Sequence, residues 1–278
     1  MELDRSYAIL KEVSQQNTQT MKAILNTSLN DMKIVSSSLI ALENSPYNTK
    51  DIEYILEHIF ENTLFSYIGI ADKNGNAKTT TGRETNVKEE SFFQYALNGA
   101  DNTSRLLKNP LVCENEFANA VALYEGREIT GVLYGVYDTQ RLSKYMENVE
   151  SAEEYCFGVI QQNGAFVVYP PNEQTLLYEK NFWENMQKAS LSYSMEQIKK
   201  DMNENKSRMV SYNINGEQRY LYYQPYYEND WYVISVMNPE VMESRLQKIN
   251  YMVWRVSAEI LICFIIVVIW TFYSSKRS

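Results

Sequence analysis

The side chains that most often perform catalysis or bind metals are few in this sequence, and their spacing indicates no site. The chain has one histidine, His58, and three cysteines, Cys113, Cys156 and Cys263. A zinc site needs several such ligands at short spacings, and a hydrolytic triad needs a histidine beside its nucleophile. The cysteines show no such spacing, His58 lies off the apolar stripe of its predicted helix, and the glycines form neither a dinucleotide-binding motif nor a P-loop. The sequence therefore predicts a chain without catalytic residues, bound metal or cofactor.

Acidic side chains outnumber basic ones, with 35 Asp and Glu against 26 Lys and Arg, for a net charge of −9. A surface of this sign repels nucleic acid and anionic lipid, so a nucleic-acid partner is disfavoured. The 45% of hydrophobic residues are enough to build a core, which excludes a disordered tail.

The C-terminal region contains a candidate membrane span. The stretch from Ile260 to Trp270 is entirely apolar, and with the residues back to Tyr251 it is long enough to cross roughly 30 Å of hydrocarbon. Aromatic residues flank both ends, and Lys276 and Arg277 follow, as is typical of a cytoplasmic exit. The sequence therefore predicts a cell-membrane protein with residues 1–250 on the extracytoplasmic side.

Glu259 is the one acidic residue within this segment. It lies one helical turn from Arg255, so the two side chains can pair or reach the outer interface. A functional carboxylate inside the membrane is the alternative.

The N-terminal region predicts one long helix. Neither glycine nor proline occurs before Pro46, and a helix of about forty residues would be about 60 Å long at 1.5 Å per residue. Such a helix must lie along two stacked units, extend a membrane helix or pair with a partner chain. A second, shorter helix is predicted over residues 50–62. The long helix has its apolar residues mostly three or four positions apart: Leu10, Val13, Met21, Leu25, Leu29, Met32, Val35, Leu39 and Leu42.

Beyond these helices, a pattern of strands, turns and helices occurs twice. The first set predicts strands over 64–71, 76–81, 104–107, 117–124 and 129–137, with a helix over 89–98 and a second helix that Asp138 and Thr139 can cap. The second set predicts strands over 155–161, 165–169, 209–214, 218–223 and 231–237, with one helical interval over 178–203. Asn238 and Pro239 then begin a closing helix that continues into the membrane segment.

This organisation resembles the double-CACHE sensor domains of bacterial receptors, which contain two PAS-like modules in tandem. The resemblance rests on the order of several local motifs: SYIGIADKNGNAKT, SFFQYALNG, TGVLYGVYDTQRL, YCFGVIQQNGAFVVYP and DWYVISVMNP. It implies an α+β fold with a long N-terminal helix, two antiparallel sheet modules and a C-terminal transmembrane helix.

The resemblance also implies a division of the chain into five parts. The expected bounds are 1–45 for the long helix, 46–150 for a membrane-distal ligand-binding module, 151–240 for a membrane-proximal module, 241–273 for the linker and transmembrane helix, and 274–278 for a cytoplasmic stub. Members of the family are joined to chemoreceptor, histidine kinase or diguanylate cyclase outputs, and none of those outputs lies within these residues.

Family members that sense amino acids show an Arg-x-Trp-Tyr motif before the third strand and an Asp at the end of the last strand of the distal module. Asp138 matches that Asp, whereas Glu90 stands in the place of the Arg, with Phe92 and Phe93 in place of the aromatic pair. Without the guanidinium, a ligand carboxylate loses its bidentate partner. The expected ligand is therefore small, polar and not an amino acid, and it is cationic if Asp138 and Glu90 both face the cleft. The candidate contacts are Asp138, Glu90, Phe92, Phe93, Tyr95, Arg105, Asn119, Tyr124 and Tyr134.

Each of these residues has a simpler structural role as an alternative. The aromatic side chains could serve core packing alone, and Asp138 could be only a helix cap.

Three functions remain open at this point. The first is an extracytoplasmic sensor that acts through its membrane helix and dimerises through the N-terminal helix. The second is a membrane-anchored binding or adhesion protein without a signalling output, and the third is an interaction protein held at the membrane by its tail with its bulk in the cytosol.

Overall fold

The computed structural model describes residues 2–43, 63–107, 115–149, 155–226 and 229–275. One long helix runs beside two six-stranded antiparallel sheets, and a second long helix follows the second sheet. This arrangement confirms the α+β fold expected from the sequence. The predicted helix over 50–62, with His58, lies outside the described residues, as does Cys113.

Helix α1, Glu2–Glu43, is the long N-terminal helix. Its 42 residues contain no glycine or proline, so nothing interrupts the backbone hydrogen bonds over about 63 Å. One face is buried along most of its length, with Leu10, Met21 and Met32 fully covered. This face packs against strands of both sheets, so α1 lies along two stacked units, as one of the alternatives required.

The first module contains residues 65–138, and its sheet has the order β3-β2-β1-β6-β5-β4. Helix α2 lies on the sheet face opposite α1, and helix α3 leads out of the module. The elements are β1 Phe65–Asp72, β2 Asn76–Thr79, β3 Glu84–Asn86, α2 Ser91–Leu97, β4 Asn102–Thr103, β5 Glu116–Glu125, β6 Glu128–Asp138 and α3 Thr139–Val149.

The second module contains residues 156–237 and repeats this topology, with the strand order β8-β7-β12-β11-β10-β9. Helix α7 follows directly after β12. The elements are β7 Cys156–Gln161, β8 Phe166–Val168, α4 Asn172–Thr175, α5 Phe182–Lys188, β9 Ser190–Leu191, α6 Met195–Asn203, β10 Arg208–Ile214, β11 Glu217–Tyr226, β12 Trp231–Met237 and α7 Pro239–Ser275.

The strand predicted over 104–107 is wrong, because the regular strand β4 ends at Thr103. The backbone N–H groups of Ser104 and Leu107 still bond to carbonyls of β5, each at 2.7 Å. The Ser104 hydroxyl, however, accepts a hydrogen bond from the Ala118 N–H at 2.8 Å and so takes a place that a strand carbonyl would fill. A serine side chain has replaced one rung of the ladder.

The single helical interval predicted over 178–203 is also wrong. Two helices, α5 and α6, occupy it, with the two-residue strand β9 between them. Asn181 caps α5 by accepting from Trp183 N at 2.8 Å, and Ser194 caps α6 by accepting from Gln197 N at 3.2 Å. Both are favoured N-cap residues, so the sequence contained the signal for two separate helix starts.

The inner faces of both sheets share one core with α1. Phe117 of β5 stacks on Tyr137 with ring centroids 4.6 Å apart and meets Trp231 of β12 edge-to-face at 5.2 Å. The same cluster includes Met21 and Leu25 of α1. The two modules are therefore joined by apolar packing as well as by the chain.

Helix α7 begins with a regular cap and then becomes apolar and exposed. Asn238 Oδ1 accepts from Glu240 N at 3.0 Å, with Pro239 at the first helical position. Its part from Pro239 to Trp270 is long and apolar enough to cross a membrane, and none of the tested window is buried within the structure. Arg255 and Glu259 approach to 3.4 Å, which is the pairing that the sequence allows.

A buried ion pair holds α6 to the second sheet. Asp201 is 1% exposed and accepts from Arg208 Nε at 2.5 Å, from the Tyr223 hydroxyl at 2.8 Å and from Gln197 Nε2 at 2.8 Å. These bonds, that from Arg208 first, lower the pKa of Asp201 to about 2. The charged form of Asp201 is therefore a stabilising part of the second module.

Acid should weaken the second module through Asp201. Because the pKa of this carboxyl lies below its ordinary value of 3.8, its stabilisation is complete above about pH 4 and is lost as the pH falls toward 2. Asp201→Asn should lower the unfolding free energy by about 2 kcal/mol at pH 7 and should remove this part of the pH dependence. Thermal unfolding from pH 7 to 2.5 measures both effects, with Glu184→Gln on the exposed side of α5 as control. Equal pH profiles for Asp201→Asn and the unchanged chain would contradict this account.

Candidate ligand-binding site

The first module contains a small cleft between its sheet and the segment from β3 to α2. Its cavity volume is about 10 Å³, which is about the volume that one water molecule needs. The cleft is therefore closed in this conformation. Its lining residues are Tyr67, Thr85, Asn86, Val87, Glu90, Phe92, Leu107 and Tyr134.

The segment over the cleft is held close to the β1–β2 turn by Gly75. This glycine has φ +84°, and a Cβ there would lie 2.6 Å from Lys88 N, so a larger residue would collide with the backbone. The Gly75 carbonyl accepts from Val87 N at 2.8 Å. This close approach puts Val87 into the wall of the cleft.

Glu90 occupies the N-cap position of α2 without acting as its cap. Its backbone is extended, with φ −80° and ψ 135°, and its side chain makes no capping hydrogen bond. Only 6% of the residue is exposed, and its side chain lines the cleft. Phe92 and Phe93, both fully buried, fix α2 on the sheet. The Glu90 side chain therefore lines the cleft and does not cap the helix.

Tyr134 of β6 fills the floor of the cleft. Its ring lies over Gly69 of β1, where a Cβ would come within 2.2 Å of the ring, and its centroid is 5.0 Å from that of Phe92. The hydroxyl is buried, and no described residue forms a hydrogen bond with it. Burial also raises the pKa of Tyr134 above its ordinary value of 10, so the neutral hydroxyl remains available as donor or acceptor.

A second carboxyl group lies behind the cleft. The Tyr67 hydroxyl donates to Glu116 Oε2 at 3.2 Å, and Glu116 is fully buried. The sequence prediction omitted both residues, although a signal existed. Glu116 is two positions before Ala118, which faces the cleft side of β5, and side chains of a strand alternate between faces.

The structure brings Glu90, Phe92 and Tyr134 together in the cleft wall, while Phe93 lies in the adjoining core. It does not bring Asn119 there. Asn119 lies on the α1 face of β5, where its Nδ2 donates to the Leu25 carbonyl and to the Tyr137 hydroxyl, each at 3.1 Å. Successive side chains of a strand point to opposite faces of the sheet. Ala118 and Ala120 face the cleft side, so Asn119 between them faces α1.

The remaining four predicted residues lie away from the cleft wall. Tyr95 is 60% exposed on α2, and Tyr124 is 39% exposed near the far end of β5. Arg105 forms an ion pair with Asp230 of the second module. Asp138 accepts from Gln140 N at 2.7 Å and therefore caps α3, which is the simpler of its two predicted roles. Ligand contact by any of the nine residues stays a prediction.

The residues that line the cleft are acidic, polar and aromatic. Among the described residues that line it, one is acidic and none is basic, and Tyr67 connects it to the carboxyl group of Glu116. Three aromatic rings surround the space, and aromatic faces attract cations.

A larger, open groove lies between α3 and the second module, with a volume of about 440 Å³. Lys144 and Lys180 are on its walls, together with Pro170, Pro171 and Tyr178. Tyr178 is 60% exposed, and the unpartnered buried polar atoms among the described residues belong to none of the groove residues. The first-module cleft is therefore the better candidate in spite of its smaller volume.

Comparisons with known proteins agree with this architecture. The family model dCache_1, described as Cache domain, matches residues 4–246. A search of curated proteins finds no match.

Several solved structures with the same fold are sensory or ligand-binding domains of chemoreceptors. That of Tlp3 from Campylobacter jejuni, with isoleucine bound, has a TM-score of 0.59 and 13% identity, and the match covers 87% of this chain and 97% of that one. The ligand-binding domain of PctB from Pseudomonas aeruginosa PAO1, in complex with L-Arg, has a TM-score of 0.57 and 13% identity. That match covers 86% of this chain and 96% of the PctB chain. The ligand-binding domain of CtaA from Pseudomonas fluorescens, in complex with L-alanine, has a TM-score of 0.59 and 13% identity. That match covers 84% of this chain and 96% of the CtaA chain. At this identity the likeness shows the fold.

Removing the Tyr134 hydroxyl should stabilise the ligand-free chain. A buried polar group without a partner costs about 1–3 kcal/mol, so Tyr134→Phe should raise the unfolding free energy by about 1 kcal/mol. Tyr232→Phe is the matched control, because Tyr232 is equally buried but donates to the Met202 carbonyl at 2.5 Å. That change should lower stability by about 1 kcal/mol. Denaturant unfolding compares the two, and a loss of stability in Tyr134→Phe would show that its hydroxyl has a partner.

Proposed function

Since the chain belongs to the Cache domain family, we propose that it is the extracytoplasmic sensing region of a bacterial membrane receptor. In this proposal a small molecule binds in the cleft of the first module, and its effect passes through the second module to α7. The output would be of the chemoreceptor, histidine kinase or diguanylate cyclase type.

The closed, acidic and aromatic cleft carries this proposal. Tyr134 has a buried hydroxyl without a partner among the described residues, and Glu90 holds its carboxyl group at the same space. A buried hydroxyl without a partner is unfavourable and calls for an explanation. A ligand that bonds to the Tyr134 hydroxyl when the cleft opens would supply one, and a positive charge on that ligand would be attracted to the Glu90 carboxyl group.

The ligand we propose is an amine without a carboxylate. Isoleucine, L-Arg and L-alanine are bound in the similar chemoreceptor structures, and each carries a carboxylate beside its amino group. In this cleft a carboxylate would meet Glu90, and none of the described lining residues is basic. Burying that charge without a partner is costly, so an amino acid fits this cleft less well than a simple amine does.

A thermal-shift screen of the whole chain in detergent should find a hit among small amines and none among free α-amino acids. At a concentration about a hundred-fold above Kd, the ligand should raise the unfolding free energy by about 2.7 kcal/mol. Glu90→Gln should abolish most of this stabilisation, because the amide keeps the shape of the carboxyl group but loses its charge.

Asp138→Asn is the matched control for Glu90→Gln, since it makes the same chemical change at a carboxyl group that caps α3. Asparagine caps about as well as aspartate, so this variant should retain the stabilisation. A loss in both variants would assign Asp138 to the binding site as well. Stabilisation by an α-amino acid, or unchanged stabilisation in Glu90→Gln, would contradict the proposed ligand class.

The orientation in the membrane is also part of the proposal. Helix α7 continues from the second sheet into the apolar segment, and Lys276 and Arg277 follow that segment in the sequence. Basic residues are enriched on the cytoplasmic side of membrane helices. Residues 1–250 would then lie outside the cytoplasmic membrane.

In a chain whose native cysteines are replaced by alanine, a cysteine introduced at Gln218 should be labelled in intact cells by a membrane-impermeant maleimide. Gln218 is exposed beside the β10–β11 turn and, unlike Gly216, does not have a positive φ, so the thiol would be accessible. The same label on a cysteine at Ser278 should react only after lysis. The reverse pattern would place the modules in the cytosol and would exclude an extracytoplasmic sensor.

A further inference from the structure

We infer that the beginning of β12 is the joint through which the cleft is coupled to the membrane helix. This inference rests on the proposed function and adds the residues that transmit the change. The joint consists of the segment 104–107 in the first module and of Asn229, Asp230 and Trp231 in the second.

The segment 104–107 contacts the cleft on one side and the shared core on the other. Leu107 lines the cleft, whereas Leu106 packs against the cluster that contains Trp231. Leu107 N also donates to the Glu116 carbonyl at 2.7 Å. A ligand that displaces Leu107 must therefore move a segment that touches the second module.

Two polar contacts join this segment to the turn before β12. Asn229 Nδ2 donates to the Ser104 carbonyl at 3.2 Å, and Arg105 forms an ion pair with Asp230. Asn229 and Asp230 have φ values of 64° and 55°, a left-handed conformation that these two residue types tolerate better than most. The contacts thus hold a turn whose backbone conformation is uncommon.

Trp231 provides a third contact at the same place. It is fully buried and meets Phe117 edge-to-face at 5.2 Å. Phe117 directly follows Glu116, the partner of the cleft residue Tyr67. Both routes from the cleft, through 104–107 and through Glu116 and Phe117, end on the first residues of β12.

Strand β12 links this point directly to α7. It pairs along its length with β11 on one side and with β7 on the other, so it moves as a rigid element. Its seven residues end at Met237, and α7 begins at Pro239. A displacement of Trp231 therefore reaches the start of the membrane helix over about 20 Å without passing a flexible loop.

The polar part of the joint can be broken without unfolding the chain. The side chains of Arg105 and Asp230 are 63% and 57% exposed, and exposed ion pairs contribute little to stability. The modules remain joined by the shared core on α1. Variants of these residues therefore test coupling rather than folding.

The experiment changes the shape of the cleft without a ligand. The whole chain, in lipid nanodiscs, is labelled with 5-fluorotryptophan, and the ¹⁹F resonance of Trp231 is assigned by Trp231→Phe. Gly69→Ala puts a methyl group within 2.2 Å of the Tyr134 ring and forces the ring to shift. We expect the Trp231 resonance to move by more than its line width, while that of Trp183 in α5, which lies outside the proposed route, stays in place as an internal reference.

The coupling is then tested by breaking the joint. In the background Arg105→Gln with Asn229→Gly, which keeps the left-handed backbone at 229, the same Gly69→Ala change should move the Trp231 resonance by less than half as much. In the background Tyr134→Ala, where the ring is absent, Gly69→Ala should not move it. A full displacement in the first background would overturn the role given to the two polar contacts, because the change would then pass through Glu116 and Phe117 alone.

A second variant covers the case in which Gly69→Ala does not fold. Leu107→Ala empties the cleft wall on the side of the joint, and Val87→Ala does so on the opposite side. Leu107→Ala should move the Trp231 resonance and Val87→Ala should not, and no movement in folded Leu107→Ala would overturn the inference. No ligand is added in this experiment, so its outcome is independent of the amine screen. A failure of the coupling inference can therefore be told apart from a failure of the proposed ligand class.

Discussion

The structure depends on the apolar face of α1. Each sheet has one face covered by its own short helices and a second face that would be open to water without α1. A single uninterrupted helix covers both second faces, so Phe117, Tyr137 and Trp231 of two different modules belong to one core. Because protein interiors are closely packed, the modules cannot shift against each other freely, and any movement between them is confined to the contacts at the edge of this core.

The two modules have the same topology but use their remaining faces differently. In the second module the space under the helices is filled by aromatic side chains and by the Asp201 ion pair, whose bonds are satisfied by Arg208, Tyr223 and Gln197. In the first module the corresponding space contains a tyrosine hydroxyl that no described residue satisfies and a glutamate that does not cap its helix. Under its helices the second module is therefore fully packed and bonded, whereas the first module keeps one buried hydroxyl that no described residue satisfies.

The sequence predicted the larger features because each has a long or repeated signal. The apolar spacing in α1, the turn at Asn215 and Gly216, and the apolar run of α7 extend over many residues or use residues with special backbone freedom. The site was predicted less well, because it depends on which face of a strand each side chain occupies. Asn119 and Glu116 lie on opposite faces of β5, and only the register of the sheet separates them. The irregular edge at Ser104 depends on a single side-chain hydrogen bond, which leaves no periodic signal in the sequence.

The ring of Tyr134 over Gly69 has a consequence for the working range of a sensor built on this cleft. Since the closed form has room for about one water molecule, a ligand of the proposed kind would bind only the fraction of molecules in which the ring has moved away. Apparent affinity is reduced by that fraction, so the concentration at half response is set jointly by ligand contacts and by the ease of moving one tyrosine. Evolution could then retune the threshold of such a receptor, without altering its choice of ligand, by changing only the residue beneath that ring.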